Sequence, residues 1–327
     1  MKNKSIKIIV IIFTLMVLGC NLSYCQVSGM AGAFSRMGFD AKGLSMGNSI
    51  VAYSKENISP YYNPASLIYQ DKKTFSATYT FLNLDRTLNS IAFILPVELE
   101  QQDSVALNAT LFAGLINAGV TDIDQRNSDG YSLGSLSVFE NQFFVGASVK
   151  ITERISVGGN FKFNYSKLYE DVTSSGFGFD IGLLFKLNEQ LSIAACVKDI
   201  NTSYTWNTTD LYGQSGTITK DKFPLLKIIG AGYQVNDELY LTTAFESSNQ
   251  GTNIFRFGGE YVFNNFFALR LGIDRLDISN TNNGIKPTFG FSLSHDFSSL
   301  RPVLNYVFSI EPFTHYPIQM ITLTIQF

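Results

Sequence analysis

The residues able to do acid–base or nucleophilic chemistry are few, and their spacing works against them. The chain of 327 residues has 2 histidines, His295 and His315. Ser294, His295 and Asp296 are consecutive, at the end of a stretch that alternates apolar and polar side chains. Neighbours on a strand point to opposite faces, so these three cannot converge as nucleophile, base and orienting acid. Neither histidine stands at a metal-ligand spacing from a cysteine. Of the 3 cysteines, Cys20 and Cys25 fall near the N-terminus, and Cys196 alone cannot make an internal disulfide. The sequence therefore reads as a non-enzyme with no cofactor and no metal site. A net charge of −3 lacks the basic footprint of a nucleic-acid binder.

The chemistry that the spacing does support is electrostatic. Lys162, Lys198, Arg256 and Arg270, with Asp180, Glu246, Glu260 and Asp274, sit among the polar partners of alternating apolar positions. If the apolar faces meet lipid, these charges face a lumen, where an unpaired charge would be costly. The two signs balance. Arg256 with Asp274, and Glu260 with Arg270, are spaced to pair across a hairpin turning at Asn264-Asn265. Such a network reads as structural glue. An ion-selective pore would want a ring of one sign.

The elements that carry these charges repeat one pattern. Phe255, Phe257, Tyr261 and Phe263 alternate with Arg256, Gly258, Glu260 and Val262. After Asn264-Asn265, Phe267, Leu269, Leu271 and Ile273 alternate with Ala268, Arg270, Gly272 and Asp274. This is period two, the signature of strands. The composition agrees: 14% aromatic with Phe 28 and Tyr 16, but only 16% charged. No later run is long and apolar enough for a membrane helix, which needs ~20 residues. The fold class predicted is all-β, a transmembrane antiparallel β-barrel of about fourteen strands in the outer membrane. The strands are expected at 73–84, 86–96, 104–115, 142–151, 154–166, 175–186, 190–200, 224–235, 238–248, 253–263, 267–276, 286–296, 301–310 and 318–327. Short turns at 152–153, 188–189, 236–237, 264–265 and 298–299 alternate with longer connections at 116–141, 166–175, 200–223, 277–285 and 311–317. That alternation puts both chain ends on the periplasmic side. The amphipathic last strand ends on Phe327, like the signal that outer-membrane proteins present to the barrel assembly machinery. That machinery and outer-membrane lipid are the partners expected from the barrel itself.

Residues 1–25 have the layout of a signal peptide: Lys2, Lys4 and Lys7, an apolar run from Ile8 to Leu18, then small or polar residues. Cleavage before Gln26 and lipidation of Cys20 in Val17-Leu18-Gly19-Cys20 are both open. The barrel is assigned to 73–327. Between lies 26–72, rich in Gly, Ala, Ser and Asn and without clean alternation, too long for a simple leader. It reads as an N-terminal hatch or plug folded into the lumen, or as a periplasmic arm. Gly158, Gly159, Gly178, Gly182, Gly258, Gly259 and Gly272 lie inside strands, where glycine marks a kink or a close backbone approach.

The region Ala41–Leu67 resembles the start of FadL-like barrels, especially the PorV/PorQ family of the Bacteroidetes. The residues that carry the likeness are Gly43, Met46 and Gly47 of a Gly-x-x-Met-Gly segment, and Asn63, Pro64 and Ala65 of an Asn-Pro-Ala motif. Ser175–Gly182 and Phe257–Tyr261 add to it. The resemblance implies a fourteen-stranded barrel with an N-terminal hatch and one of two functions. The first is an accessory component linked to type IX secretion that binds secretion partners or cargo. The alternative is FadL-like transport of hydrophobic small molecules. The acidic run customary after Gly47 is missing at Ala52–Asn57.

Overall fold

Alternation of period two, sustained around the chain, closes into a wall. A computed structural model describes residues 29–99, 107–169, 172–280 and 284–327. Residues 1–25, expected to form a signal peptide with two processing readings, lie outside the described residues. The strands are β1 (Thr74–Phe81), β2 (Arg86–Leu99), β3 (Leu107–Arg126), β4 (Ser132–Thr152), β5 (Ile155–Tyr169), β6 (Val172–Lys186), β7 (Leu191–Ile200), β8 (Ser203–Asn207), β9 (Ile218–Lys222), β10 (Leu226–Gln234), β11 (Leu239–Ser248), β12 (Asn253–Val262), β13 (Phe267–Asp277), β14 (Lys286–Ser294), β15 (Arg301–Ser309) and β16 (Ile318–Gln326). Among the described residues, fourteen of these form one closed antiparallel barrel, while β8 and β9 pair only with each other. Closure joins β1 to β16, with Thr74 opposite Gln326 and Phe81 opposite Gln319. A closed sheet has no free edge and satisfies every backbone group between strands, which a bilayer demands. On the outer face Phe75, Tyr79, Ile91, Phe93 and Phe143 are exposed, while inward neighbours such as Thr74, Thr78 and Ala92 are buried. An apolar outside of this kind suits lipid contact.

Two of the expected long connections are strands instead. β3 and β4 run through most of 116–141 and leave only 127–131 between them, and β5 and β6 run through most of 166–175. The first part of β4, Ser132–Phe139, is exposed or half-buried on both faces. A wall that rises beyond the lipid needs no apolar face. The alternation that betrays a strand disappears there while the backbone ladder continues. Inside 200–223, the β8–β9 hairpin folds back against β6, with reciprocal hydrogen bonds between Ser174 and Thr205.

The inner face is divided. On β2–β4 it is apolar, with Leu88, Ala92, Ile94, Phe112, Ile116 and Phe144 buried. From β5 to β14 it carries the inward charges, among buried apolar residues such as Leu184, Cys196, Ile228 and Ala244. Residues 39–70 pack against this inner face as short helical turns: Ala41–Ser45, Ile50–Ala52 and Pro64–Tyr69. Turns this short leave most carbonyls without an internal partner, so the wall must supply donors. The hydroxyls of Thr78 and Ser90 donate to the Phe39 carbonyl. Ser148 and Ser156 donate to Ala65, Ser192 to Ala52, and Thr288 to Ser45.

Close approach requires small wall residues. A Cβ added at Gly158 would strike the Pro64–Ala65 peptide; at Gly182, Asn63; at Gly258, the Met46 carbonyl; at Gly272, the backbone of Met46 and Gly47. Gly178 instead makes room for Thr202, and Gly159 faces open space. Gly258→Val is expected to push the N-terminal segment off the wall at a cost of about 1–3 kcal/mol, the usual range for overpacking. The readout is faster proteolysis within 39–70, with the barrel still resisting unfolding in cold detergent. Unchanged proteolysis would contradict this packing. The ends of the barrel are also testable. An epitope inserted near Tyr212 should be reached by antibody on intact cells and one near Asn236 should not, because these positions lie at opposite ends of the wall.

Candidate functional site: a cavity above the N-terminal segment

The residues of the Gly-x-x-Met-Gly and Asn-Pro-Ala segments hold the N-terminal segment in place. The Asp40 side chain caps the turn Ala41–Ser45 by accepting from the Lys42 and Gly43 amides. Gly43 lies under the Tyr62 ring with no room for a side chain, and Met46 is fully buried. Gly47 adopts φ 63° against the carbonyls of Phe257 and Ile273. That left-handed conformation, with backbone on both sides, admits only glycine without strain. Asn63 accepts from the Ala65 amide at 3.0 Å and donates to the Val51 carbonyl at 2.8 Å. Pro64 occupies the first position of the turn, where the missing amide hydrogen is no loss. Ala65 presents the carbonyl that takes both wall serines.

The inward charges form two groups with an exception between them. In the first, Glu260 is the centre. It accepts from Arg270 at 2.6 Å and from the Tyr53 hydroxyl at 2.7 Å, with Lys42 at 3.9 Å. Arg270 also donates to Asn305 and Ser292. In the same group Arg256 holds Glu246 at 2.9 Å and Asp274 at 3.2 Å, and Asp274 accepts from Asn48 at 2.8 Å. The pairs Arg256–Asp274 and Glu260–Arg270 are thus both in contact. In the second group Lys162 binds Asp180 and Asp199. The exception is Lys198, which was expected to pair with an opposite charge. Its ammonium lies 3.6 Å from the centre of the Tyr61 ring instead, a cation–π contact with the N-terminal segment.

Several site residues could not be found by alternation. Asp199 would point outward on a regular strand. A bulge turns both Lys198 and Asp199 inward: the β6–β7 register shifts between Phe179 and Ile181, and Asp199 has φ 60°. Asp180 takes the displaced Asp199 amide at 2.9 Å. Lys42, Asn48 and Tyr53 lie in a segment without periodicity and carried no signal. Lys286 was legible, since it opens the alternation Lys286, Thr288, Gly290 and Ser292. It bridges Asp274 at 3.1 Å and Glu311 at 2.7 Å.

Above the N-terminal segment, toward the end bearing the long loops, the lumen opens into a cavity of about 780 Å³. Phe34, Arg36 and Met37 lie at its base. Arg86, Leu88, Ala118, Val138 and Glu140 of β2–β4 line one side. Leu226, Glu246, Ile254, Arg256, Asp274, Arg275 and Lys286 of β10–β14, with Glu311, line the other. The base is tied in place: Arg36 donates to the carbonyls of Met30, Ala31 and Gly32, and Phe223 presses on Gly32. Tyr204, from the hairpin insertion, reaches Glu140 at 3.0 Å. This volume is within the range of small-molecule sites, and its lining mixes apolar and charged side chains on both sides.

No protein-family model matches the sequence, and no curated protein matches it in sequence. Its structure is similar to the toluene transporter TodX of Pseudomonas putida, at TM-score 0.58 and 13% identity, covering 88% of this chain and 96% of that one. It is similar as well to a FadL homologue of Pseudomonas aeruginosa, at TM-score 0.55 and 10% identity over 88% and 98% of the two chains. The fold is FadL-like. At these identities the likeness extends to the fold alone, and the cavity has to be judged on its own residues.

Glu260 is the most connected of the tethers between segment and wall. Glu260→Gln removes the carboxylate that pairs with buried Arg270 and Lys42, leaving them only the field of Asp40, which should cost about 3 kcal/mol. A lowered urea midpoint for the release of a fluorophore attached at position 29 would report it. The pH dependence of the same release has a definite sign. Burial pushes the Lys42 ammonium down to about 8, against the pull of Glu260. The docked segment therefore binds this proton more weakly than a released one. Its penalty is full below that pH and is relieved as pH rises toward the ordinary lysine value of 10.5. Burial raises Tyr53, Tyr61 and Tyr62, which act in the opposite sense only above 10.0, the ordinary tyrosine value. Release should become harder from neutral pH to about 9.5, and Lys42→Met should flatten the slope.

Proposed function

We propose that this protein is an outer-membrane channel for hydrophobic small molecules, with 29–72 as its hatch. The carrying observation is the cavity of about 780 Å³ that opens at the loop end and rests on the N-terminal segment. A ligand entering from outside meets apolar side chains on the inner face of β2–β4, from Leu88 and Ala118 to Ile94 and Phe112. The segment occupies the lumen beneath it. The fold likeness to TodX, a toluene transporter, supports the same direction. In this reading the loop end faces outward, the turn end faces the periplasm, and Phe327 serves as the assembly signal. The paired lumen charges are structural. No residue is assigned a catalytic role.

The type IX secretion reading rests on the resemblance of Ala41–Leu67 and the later glycine-rich segments. It needs a protein partner at the loops, whereas the cavity supports a small ligand directly. The test is uptake and conductance in parallel. In planar bilayers the intact protein is expected to pass no steady ion current, and a form lacking 39–70 to show discrete open steps. Cells carrying the intact barrel should take up an apolar aromatic solute faster than cells without it. Equal uptake, combined with recovery of secretion components in a gentle membrane pull-down, would replace the channel reading with the secretion reading.

A further inference from the structure

The N-terminal segment is held in two unequal ways. From 39 to 70 the wall tethers it with the hydroxyls of Thr78, Ser90, Ser148, Ser156, Ser192 and Thr288. The stretch 30–37, at the base of the cavity, is built differently. Arg36 donates to the carbonyls of Met30, Ala31 and Gly32, and the Ser35 hydroxyl donates to Gly32 at 2.8 Å. These bonds close the turn on itself rather than onto the wall. Gly38 follows with φ 90°, a region glycine enters freely, so it can act as a joint between the turn and the tethered stretch.

What bears on this turn from outside is the β8–β9 hairpin. Phe223 stands at the foot of the hairpin, where its amide donates to the Thr202 carbonyl at 3.0 Å. Its ring lies against Gly32, and a Cβ added there would strike it. Tyr204 meets the Phe223 ring edge-on at 5.1 Å between centres, and Trp206 lies 5.2 Å from Tyr204. Below the turn, Phe34 is 6.4 Å from Phe39, and Phe39 is 4.9 Å from Tyr61. Tyr61 takes the ammonium of Lys198, just before the insertion leaves the wall. The hairpin therefore grips the segment at both of its own ends. A small gap of about 10 Å³ lies beneath the turn, touched by Ser35 and Tyr61 and, on the wall, by Ile116 and Phe144. If the turn swings away, that gap joins the cavity above it.

We propose that the β8–β9 hairpin is a latch: it holds the turn 30–37 down as the base of the cavity, and the turn swings about Gly38 when the hairpin lifts. The turn has two states because its own hydrogen bonds survive the motion, while the contact of Phe223 with Gly32 does not. An outer loop thereby controls how deep the cavity reaches, from the loop end down to Ile116 and Phe144. The latch itself is independent of what the barrel carries; its effect on transport rests on the channel reading.

The experiment uses the full-length barrel in nanodiscs of zwitterionic lipid, with amide hydrogen exchange followed peptide by peptide. Phe223→Leu keeps an apolar side chain and loses the flat contact with Gly32. It should speed exchange in 30–37 by roughly tenfold, a common size for coupling between two sites, and leave 41–67 unchanged. Tyr204→Phe removes the hydrogen bond to Glu140 but keeps the ring on Phe223, so 30–37 should exchange at the wild-type rate. Coupling is reciprocal. Gly32→Ala leaves every hairpin residue in place, and it should shift the emission of Trp206, the chain's one tryptophan, to longer wavelength. Wild-type exchange in Phe223→Leu, or wild-type emission in Gly32→Ala, overturns the latch whatever the barrel transports. Cells carrying Phe223→Leu should take up an apolar aromatic solute faster than cells carrying the wild type. Faster exchange in 30–37 with no uptake by either protein would remove the channel reading and leave the latch standing.

Discussion

The constraint on which the rest of this structure depends is the burial of an irregular backbone inside a barrel. A stretch of short turns cannot satisfy its own carbonyls, and an unpaired buried carbonyl costs as much as a lost hydrogen bond. The wall answers with hydroxyls at inward positions on six strands, from Thr78 on β1 to Thr288 on β14. It answers also with glycines, because only a wall without side chains lets two backbones approach this closely. Glycines inside strands weaken β-propensity. Their presence here follows from what the wall has to hold.

The charged residues obey the same logic at longer range. Glu260 reaches Tyr53 and Lys42, Asp274 reaches Asn48, and Lys198 reaches Tyr61. These three wall charges therefore couple their strands to the segment. Buried ion pairs are weak sources of net stability, because desolvation offsets their attraction. They are strong sources of position, since a displaced partner leaves a charge unpaired in a site that water does not reach. This suits a segment that must sit in one place beneath a cavity. Above the segment the wall leaves a cavity lined by both apolar and charged side chains.

Much of this was legible in the residues. Period-two alternation in hydrogen-bonded strands puts side chains on opposite faces by geometry alone, so the barrel, the turn positions and the inward set from Lys162 to Asp274 could be read directly. The expected Arg256–Asp274 and Glu260–Arg270 contacts follow from the Asn264-Asn265 turn, which brings those positions to neighbouring strands. Between 116 and 141 the alternation ended and the strands became invisible, although their hydrogen bonds did not end.

What the sequence determined by itself is therefore whatever depends on local periodicity: the strands within the membrane, their facing, and the small residues that mark close approach. What only the tertiary structure decided depends on irregularity and on distant contacts. The bulge at Lys198-Asp199 reverses the facing of Asp199, and no periodic rule anticipates a bulge. Lys42, Asn48 and Tyr53 acquire their partners because the segment crosses the lumen to β12 and β13, more than two hundred positions away along the chain. The cavity exists only as the space left between that segment and the surrounding wall. It is a property of their packing, and no stretch of sequence encodes it alone.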